Sequence, residues 1–271
     1  MRIECPILPA LPLTALITGA SGGLGEEFAR LLAQDGINLV LVARSEEKLK
    51  LLSSELEKKH GIQVLVLVKD LSVAGIADEV AEYLEKTFVN IDILINNAGL
   101  GAYGLFHQTE FEDERQVLQV NIHALTELTK LLLPGMIERK AGRILNVAST
   151  AAFLPGPLMA VYYASKAYVV SFSEAIASEL SGTGVTVTCL CPGWTHTGFQ
   201  LRAKMQLSRM FRGPAMEAKE VALQGYRGMQ ASKRLVIPGI LNKLEVFATR
   251  FVPLRFAAYV VWRMQKESSP H

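Results

Sequence analysis

The chain has 271 residues, with 28 Lys plus Arg against 26 Asp plus Glu for a formal net charge of +2, and 50% of its residues are hydrophobic. That length allows one or two domains and a full hydrophobic core without disulfide or metal staples. The near-balanced charge removes the basic field that nucleic-acid binding demands, and no run of about 18 uncharged apolar residues offers a membrane-spanning helix.

Residues 1–12 read as an irregular arm. Pro6, Pro9 and Pro12 break any helix there, and Glu4 stands where a signal peptide carries positive charge. From residue 13 two patterns alternate. Apolar runs at 13–18, 37–43, 62–68 and 91–96 are continuous in Val, Ile and Leu, which marks strands buried on both faces of a parallel sheet. Helical stretches at 23–35, 46–60 and 74–87 lie between them and imply right-handed βαβ units. The alternation continues with a long helix at 110–140, strands at 143–149 and 185–191, helices at 162–180 and 217–231, and a short last strand at 234–239. The sum is one doubly wound α/β domain over residues 13–239, with a mostly parallel seven-stranded sheet and helices on both faces. Residues 240–271 predict two short helices broken at Pro253. Their aromatics and arginines suit packing on the domain or on a subunit better than contact with a membrane surface.

Three cysteines, Cys5, Cys189 and Cys191, are too few and too odd for a disulfide framework. They fit a reducing compartment, and a cytoplasmic location is expected. Cys189 and Cys191 point to one face of their strand, with no second ligand pair at metal spacing, so they read as core thiols.

Between the first strand and the first helix lies TGASGGLG, residues 18–25. Glycines at 19, 23 and 25 let the backbone turn tightly and approach a pyrophosphate, and the helix N-terminus adds free N–H groups. In that position the string predicts a dinucleotide site, with Ser21 and Leu24 beside the phosphates. The second strand ends in Ala43 and Arg44, where an NAD-preferring fold usually places an acid. Arg44 can bind a 2′-phosphate bidentately and Lys48, one turn on, adds a second charge. The expected cofactor is therefore NADP(H).

With NNAG at 96–99, Ser149 and YYASK at 162–166 added to the glycine string, the chain resembles a short-chain dehydrogenase/reductase of the single-domain branch. The resemblance covers about residues 13–200 and implies a Rossmann-type fold. It implies that Asp70 and Leu71 flank the adenine, that Asn97, Ala98 and Gly99 line the cofactor, and that Asn121, Ser149, Tyr162 and Lys166 are catalytic. PGWTHT at 192–197 matches the family's PGxxxT loop, which brings Pro192, Gly193, Thr195 and Thr197 to the nicotinamide. Tyr162 stands i,i+4 to Lys166, whereas Tyr163 is turned about 100° away and reads as packing. An ammonium about 5 Å from the phenol favours the phenolate by roughly 3 kcal/mol, which predicts a Tyr162 pKa drawn down toward neutrality. By the same analogy Lys166 holds the nicotinamide ribose, and Asn121 positions a water that links Lys166 to solvent.

The expected reaction is hydride transfer between NADPH and a ketone or aldehyde, with Tyr162 as acid–base and Ser149 stabilising the oxyanion. Leu100, Tyr103, Phe153, Leu154, Pro155, Leu158, Phe199, Met205 and Met210 predict an apolar substrate cavity around a loop at 195–215. A steroid or lipid ketone and a 3-oxoacyl thioester both fit it. A cofactor-sensing module without turnover is the non-enzyme alternative, but it predicts a broken Ser/Tyr/Lys set. His107, His123 and His196 share no metal spacing, and no metal is expected. The resemblance also implies a homodimer or homotetramer.

Overall fold

The computed structural model describes residues 12–199, 203 and 215–266. Cys5, Met205, Met210, the N-terminal arm up to residue 11 and most of the substrate loop therefore lie outside the described residues.

Strands β1 (Thr14–Thr18), β2 (Asn38–Ala43), β3 (Val64–Val68), β4 (Ile93–Asn96), β5 (Gly142–Val147) and β6 (Val185–Leu190) alternate with helices α1 (Gly23–Gln34), α2 (Glu46–His60), α3 (Ile76–Lys86), α4 (Phe111–Leu118), α5 (Leu125–Glu138) and α6 (Ala160–Glu179). Two two-residue strands, β7 (Thr195–His196) and β8 (Met216–Glu217), precede α7 (Ala218–Gln230) and β9 (Leu235–Val236). Helices α8 (Ile240–Thr249) and α9 (Leu254–Gln265) close the described chain. Seven strands form one parallel sheet in the order β3-β2-β1-β4-β5-β6-β9. β7 and β8 pair separately, a short ribbon the sequence pattern did not reveal.

The continuous apolar strands have a direct explanation. Successive side chains of β1 alternate between two cores: Ala15 and Ile17 pack with Phe28, Leu32 and Leu56 on one face, and Leu16 packs with Val80, Leu94 and Leu128 on the other. Each face is roofed by helices, so neither side of the strand can be polar. The order also fixes where a ligand can sit. β1 is flanked by β2 and β4, so the chain reverses its direction of travel across the sheet there, and a crevice opens at the carboxyl ends of these strands.

The helix expected over 110–140 is interrupted. Residues Gln119–Ala124 form a π-helical turn between α4 and α5. Such single turns rotate a side chain off the regular register, and this one holds Asn121.

Candidate active site

The crevice is a cavity of about 460 Å³ running from Arg44 and Asp70 at one end to Tyr162 and Phe199 at the other. Its floor is the glycine loop. Gly19 and Gly23 have φ values of 66° and 58°, the left-handed region that favours glycine. Gly25 does not line the cavity. A Cβ there would meet the Gly19 carbonyl oxygen at 2.3 Å, so this glycine serves the packing of α1 against the loop rather than ligand contact. Helix α1 begins without a side-chain cap, which leaves its first N–H groups for an anion.

Asn97 latches this floor in place. Its Nδ2 donates to the carbonyls of Thr18 (2.9 Å) and Gly19 (3.2 Å), while Thr18 Oγ1 accepts from the N–H groups of Asn97 and Ala98 at 3.0 Å each. Ser21, Gly23, Leu24, Leu71, Ala98 and Gly99 all line the cavity as expected. At the far end Arg44 lies 3.8 Å from Asp70, both partly exposed, and Asp70 also accepts from the Ser72 backbone and hydroxyl. Lys48 joins them, as does Lys69, a third cation that sequence reasoning missed although it stands directly before Asp70. A dinucleotide with a 2′-phosphate fits this donor set.

At the chemical end Ser149, Tyr162 and Lys166 converge, with Pro192, Gly193, Thr195 and Thr197 on the facing wall. Ser149 ends the segment after β5 and caps a short 3-10 turn: its Oγ accepts from Ala151 N at 3.1 Å. Tyr162 and Lys166 share one face of α6, with Lys166 Nζ 5.9 Å from the Tyr162 ring centroid. Lys166 is buried, and Nζ donates to the Val147 carbonyl at 2.9 Å. A Cβ on Gly99 would sit 3.3 Å from that nitrogen, so the glycine keeps the approach to the lysine open.

The expected depression of the tyrosine is corrected here. Burial pushes Tyr162 up to about 12, against the opposing effect of its hydrogen bond with Ser149. Burial likewise pulls Lys166 down to about 8, partly opposed by Cys189 and Cys191. In each group the loss of water is the largest cause, and it outweighs the opposing contacts. The two cysteines do share one face, with sulfurs 3.8 Å apart beside the lysine.

Asn121 lies beside this group. It is buried outside the cavity lining, its Oδ1 accepts from Leu100 N at 2.9 Å, and its Nδ2 donates to Leu100 O and Ser165 Oγ. These bonds tie the segment after β4 to α6. Tyr163 packs, as predicted. Its ring lies against Gly156, where a Cβ would meet it at 2.1 Å, and its hydroxyl accepts from Gln265 Nε2 at 2.6 Å.

Among the described residues, fewer of the expected apolar positions line the cavity than the sequence suggested. Leu100, Met159 and Phe199 line the cavity, and the Phe199 ring lies 5.2 Å from that of Tyr162. Phe153 instead packs with Val169 and Cys189, and Tyr103 donates to the Gln265 carbonyl. Leu154 lines a second cavity behind Tyr163, while Pro155 and Leu158 line neither. Met159 and Trp194 line the main cavity and went unnoticed in the sequence, where nothing but proximity to the motifs marks them. His107, His123 and His196 are exposed, and His196 rests near the Trp194 ring.

A phosphate-binding floor at the reversal point of a parallel sheet, with a Ser/Tyr/Lys group over its far end, defines a Rossmann-type oxidoreductase. The chain belongs to the short-chain dehydrogenase/reductase family: the family described as "short chain dehydrogenase" matches residues 13–207. It is 39% identical over 199 residues to a very-long-chain 3-oxoacyl-CoA reductase of Pyrenophora tritici-repentis, covering 68% of this chain and 58% of that protein. The chain thus spans less than two thirds of that relative's length. It is 32% identical to mouse 17-beta-hydroxysteroid dehydrogenase type 3, over 91% of this chain and 83% of that one. Among solved structures, a short-chain dehydrogenase from Sphingobium yanoikuyae in complex with NADPH superposes with a TM-score of 0.80 at 30% identity, covering 95% and 99% of the two chains.

Proposed function

We propose that this protein is an NADPH-dependent reductase of a ketone carried on an apolar skeleton, with a long-chain 3-oxoacyl thioester as the leading substrate class. The observation that carries the reading is the Ser149–Tyr162–Lys166 group facing the apolar Phe199 and Met159 at the end of a cavity whose other end holds three cations. NADPH binding is supported by Arg44, Lys48 and Lys69 at the ribose end and by the NADPH complex of the Sphingobium relative. The thioester reading is supported by the Pyrenophora relative.

The bound cofactor supplies the hydride. The protein supplies orientation and a proton. Glycines 19 and 23 and the start of α1 would hold the pyrophosphate, and Lys166 would hold the ribose hydroxyls. Ser149 and Tyr162 both donate to the carbonyl oxygen, and Tyr162 gives up its proton as that oxygen becomes an alkoxide. A phenol with its pKa raised by burial is a poor acid alone. A cationic Lys166 beside it stabilises the phenolate as it forms, which keeps the attraction for the transition state rather than the resting state.

The test is NADPH oxidation with 3-oxoacyl-CoA thioesters of increasing chain length, a steroid ketone and a short aldehyde. Turnover that improves with chain length supports the reading; preference for the short aldehyde overturns it. A steroid ketone is the second reading, favoured by the mouse relative that matches most of both chains.

A further inference from the structure

Helix α8 buries almost nothing. Of its ten residues only Val246 is in the core. Ile240, Leu244 and Phe247, with Phe251 just beyond, recur at helical spacing and are all exposed, and the Phe247 and Phe251 rings pack edge to face at 5.3 Å. The turn to α9 continues the surface, with Phe251 at 75% and Leu254 at 72% exposure. Helix α9 turns Ala257, Val261 and Gln265 inward yet leaves Phe256, Tyr259 and Met264 outside. An apolar surface this continuous marks an interaction site.

Its charge narrows the occupant. Residues 240–266 carry Lys243, Arg250, Arg255, Arg263 and Lys266 against the single acid Glu245, an excess of four positive charges. The whole chain has only +2, so the remainder is net negative. All five cations are exposed, and among the described residues none is in an ion pair. Arg250 and Arg255 bracket the apolar tip at Phe251 and Leu254. Pairing this face with a second copy would bring the two positive excesses together. A surface of anionic headgroups would neutralise them while accepting the aromatic side chains at the depth where such rings settle.

We propose that the α8–α9 hairpin docks the protein on the surface of an anionic lipid bilayer, with the tip at Phe251–Leu254 entering the interface. The contact is peripheral: among the described residues no helix is long and apolar enough to cross a membrane. The second cavity, of about 210 Å³, lies under this same face. Exposed Phe256, Val260 and Met264 form its rim, and Tyr163, the neighbour of Tyr162, is its inner wall. Docking would therefore place bilayer lipid against the side of the catalytic helix. The proposal stands apart from the reaction, since docking requires no turnover.

Co-sedimentation of the full chain with phosphatidylcholine vesicles, with and without phosphatidylglycerol, tests it. Binding is expected to be more than tenfold stronger on the anionic vesicles. The pair Phe251→Asp and Leu254→Asp should abolish it, and Arg250→Glu with Arg255→Glu should remove the anionic preference, both variants keeping the wild-type circular dichroism spectrum. Absence of binding overturns the proposal, as does equal binding to neutral vesicles. It is also overturned by a dimer in light scattering that Phe251→Asp/Leu254→Asp dissociates while vesicles stay unbound.

Discussion

Replacing Lys166 by methionine separates what the lysine contributes to the fold from what it contributes to the chemistry. The ammonium is 4% exposed, and burial lowers its pKa from 10.5 to about 8. Between those values the unfolded chain keeps a proton that the folded chain has lost, so stability rises with pH across that window. Below it both states are protonated, and the full cost of burying the charge stands at roughly 3 kcal/mol, taking about 1.4 kcal/mol per pKa unit. Methionine removes that cost. It also removes the bond to the Val147 carbonyl at 2.9 Å, a loss of about 1–3 kcal/mol. The variant should thus be as stable as wild type near neutral pH, or up to about 2 kcal/mol more stable, while losing turnover. The slope is the sharper result. From about pH 7 to about pH 9 the wild type should gain on the variant by about 1 kcal/mol, which is about 2–4 °C in Tm for a chain of this size. Thermal unfolding followed by circular dichroism at the two pH values, without added cofactor, measures it. A Tm offset that stays constant with pH would refute the argument, because the lysine would then have the same proton affinity in both states.

Tyr162→Phe should keep NADPH affinity in a fluorescence titration and reduce turnover by about 10²–10⁴-fold. Tyr163→Phe should keep turnover and lose about 1–3 kcal/mol in urea unfolding, because Gln265 Nε2 is left without its 2.6 Å partner. Arg44→Asp should weaken NADPH far more than NADH in the same titration, since it places a carboxylate beside Asp70 where the 2′-phosphate would lie; equal losses would remove the phosphate assignment. Gly25→Ala should lower both Tm and cofactor affinity, because its Cβ would strike backbone at 2.3 Å and cannot be accommodated by a rotamer change.

The strands and their parallel character were readable because a sheet covered on both faces needs apolar side chains at successive positions, and the interior residues of β1, β2 and β4 alternate between the two cores. The glycine loop was equally readable, since left-handed backbone and close approach leave few alternatives at Gly19 and Gly23. Asn121 was found by its motif, but the bonds that hold it were not. Its hydrogen bonds to Leu100 and Ser165 join segments 21 and 44 positions away, and no local pattern encodes them. The tyrosine's proton affinity was misjudged for a related reason: charge proximity is visible in YYASK, whereas burial of both partners depends on the whole fold. What covers the face of α8 was not readable, because a sequence shows that a helix is amphipathic but not what lies against it.

The clasp around Gln265 sets an order on synthesis. Everything that builds the phosphate end, from the glycine loop through Arg44 and Asp70 to the Asn97 latch, has been translated by residue 99. The catalytic helix comes some sixty positions later, and the partner of its Tyr163 lies 102 positions beyond that tyrosine. A nascent chain on the ribosome therefore contains its nucleotide cradle long before the reactive end can be braced. Stop codons shortly before residue 265 should yield polypeptides that still carry the cradle yet have an unpinned wall beside the reactive phenol.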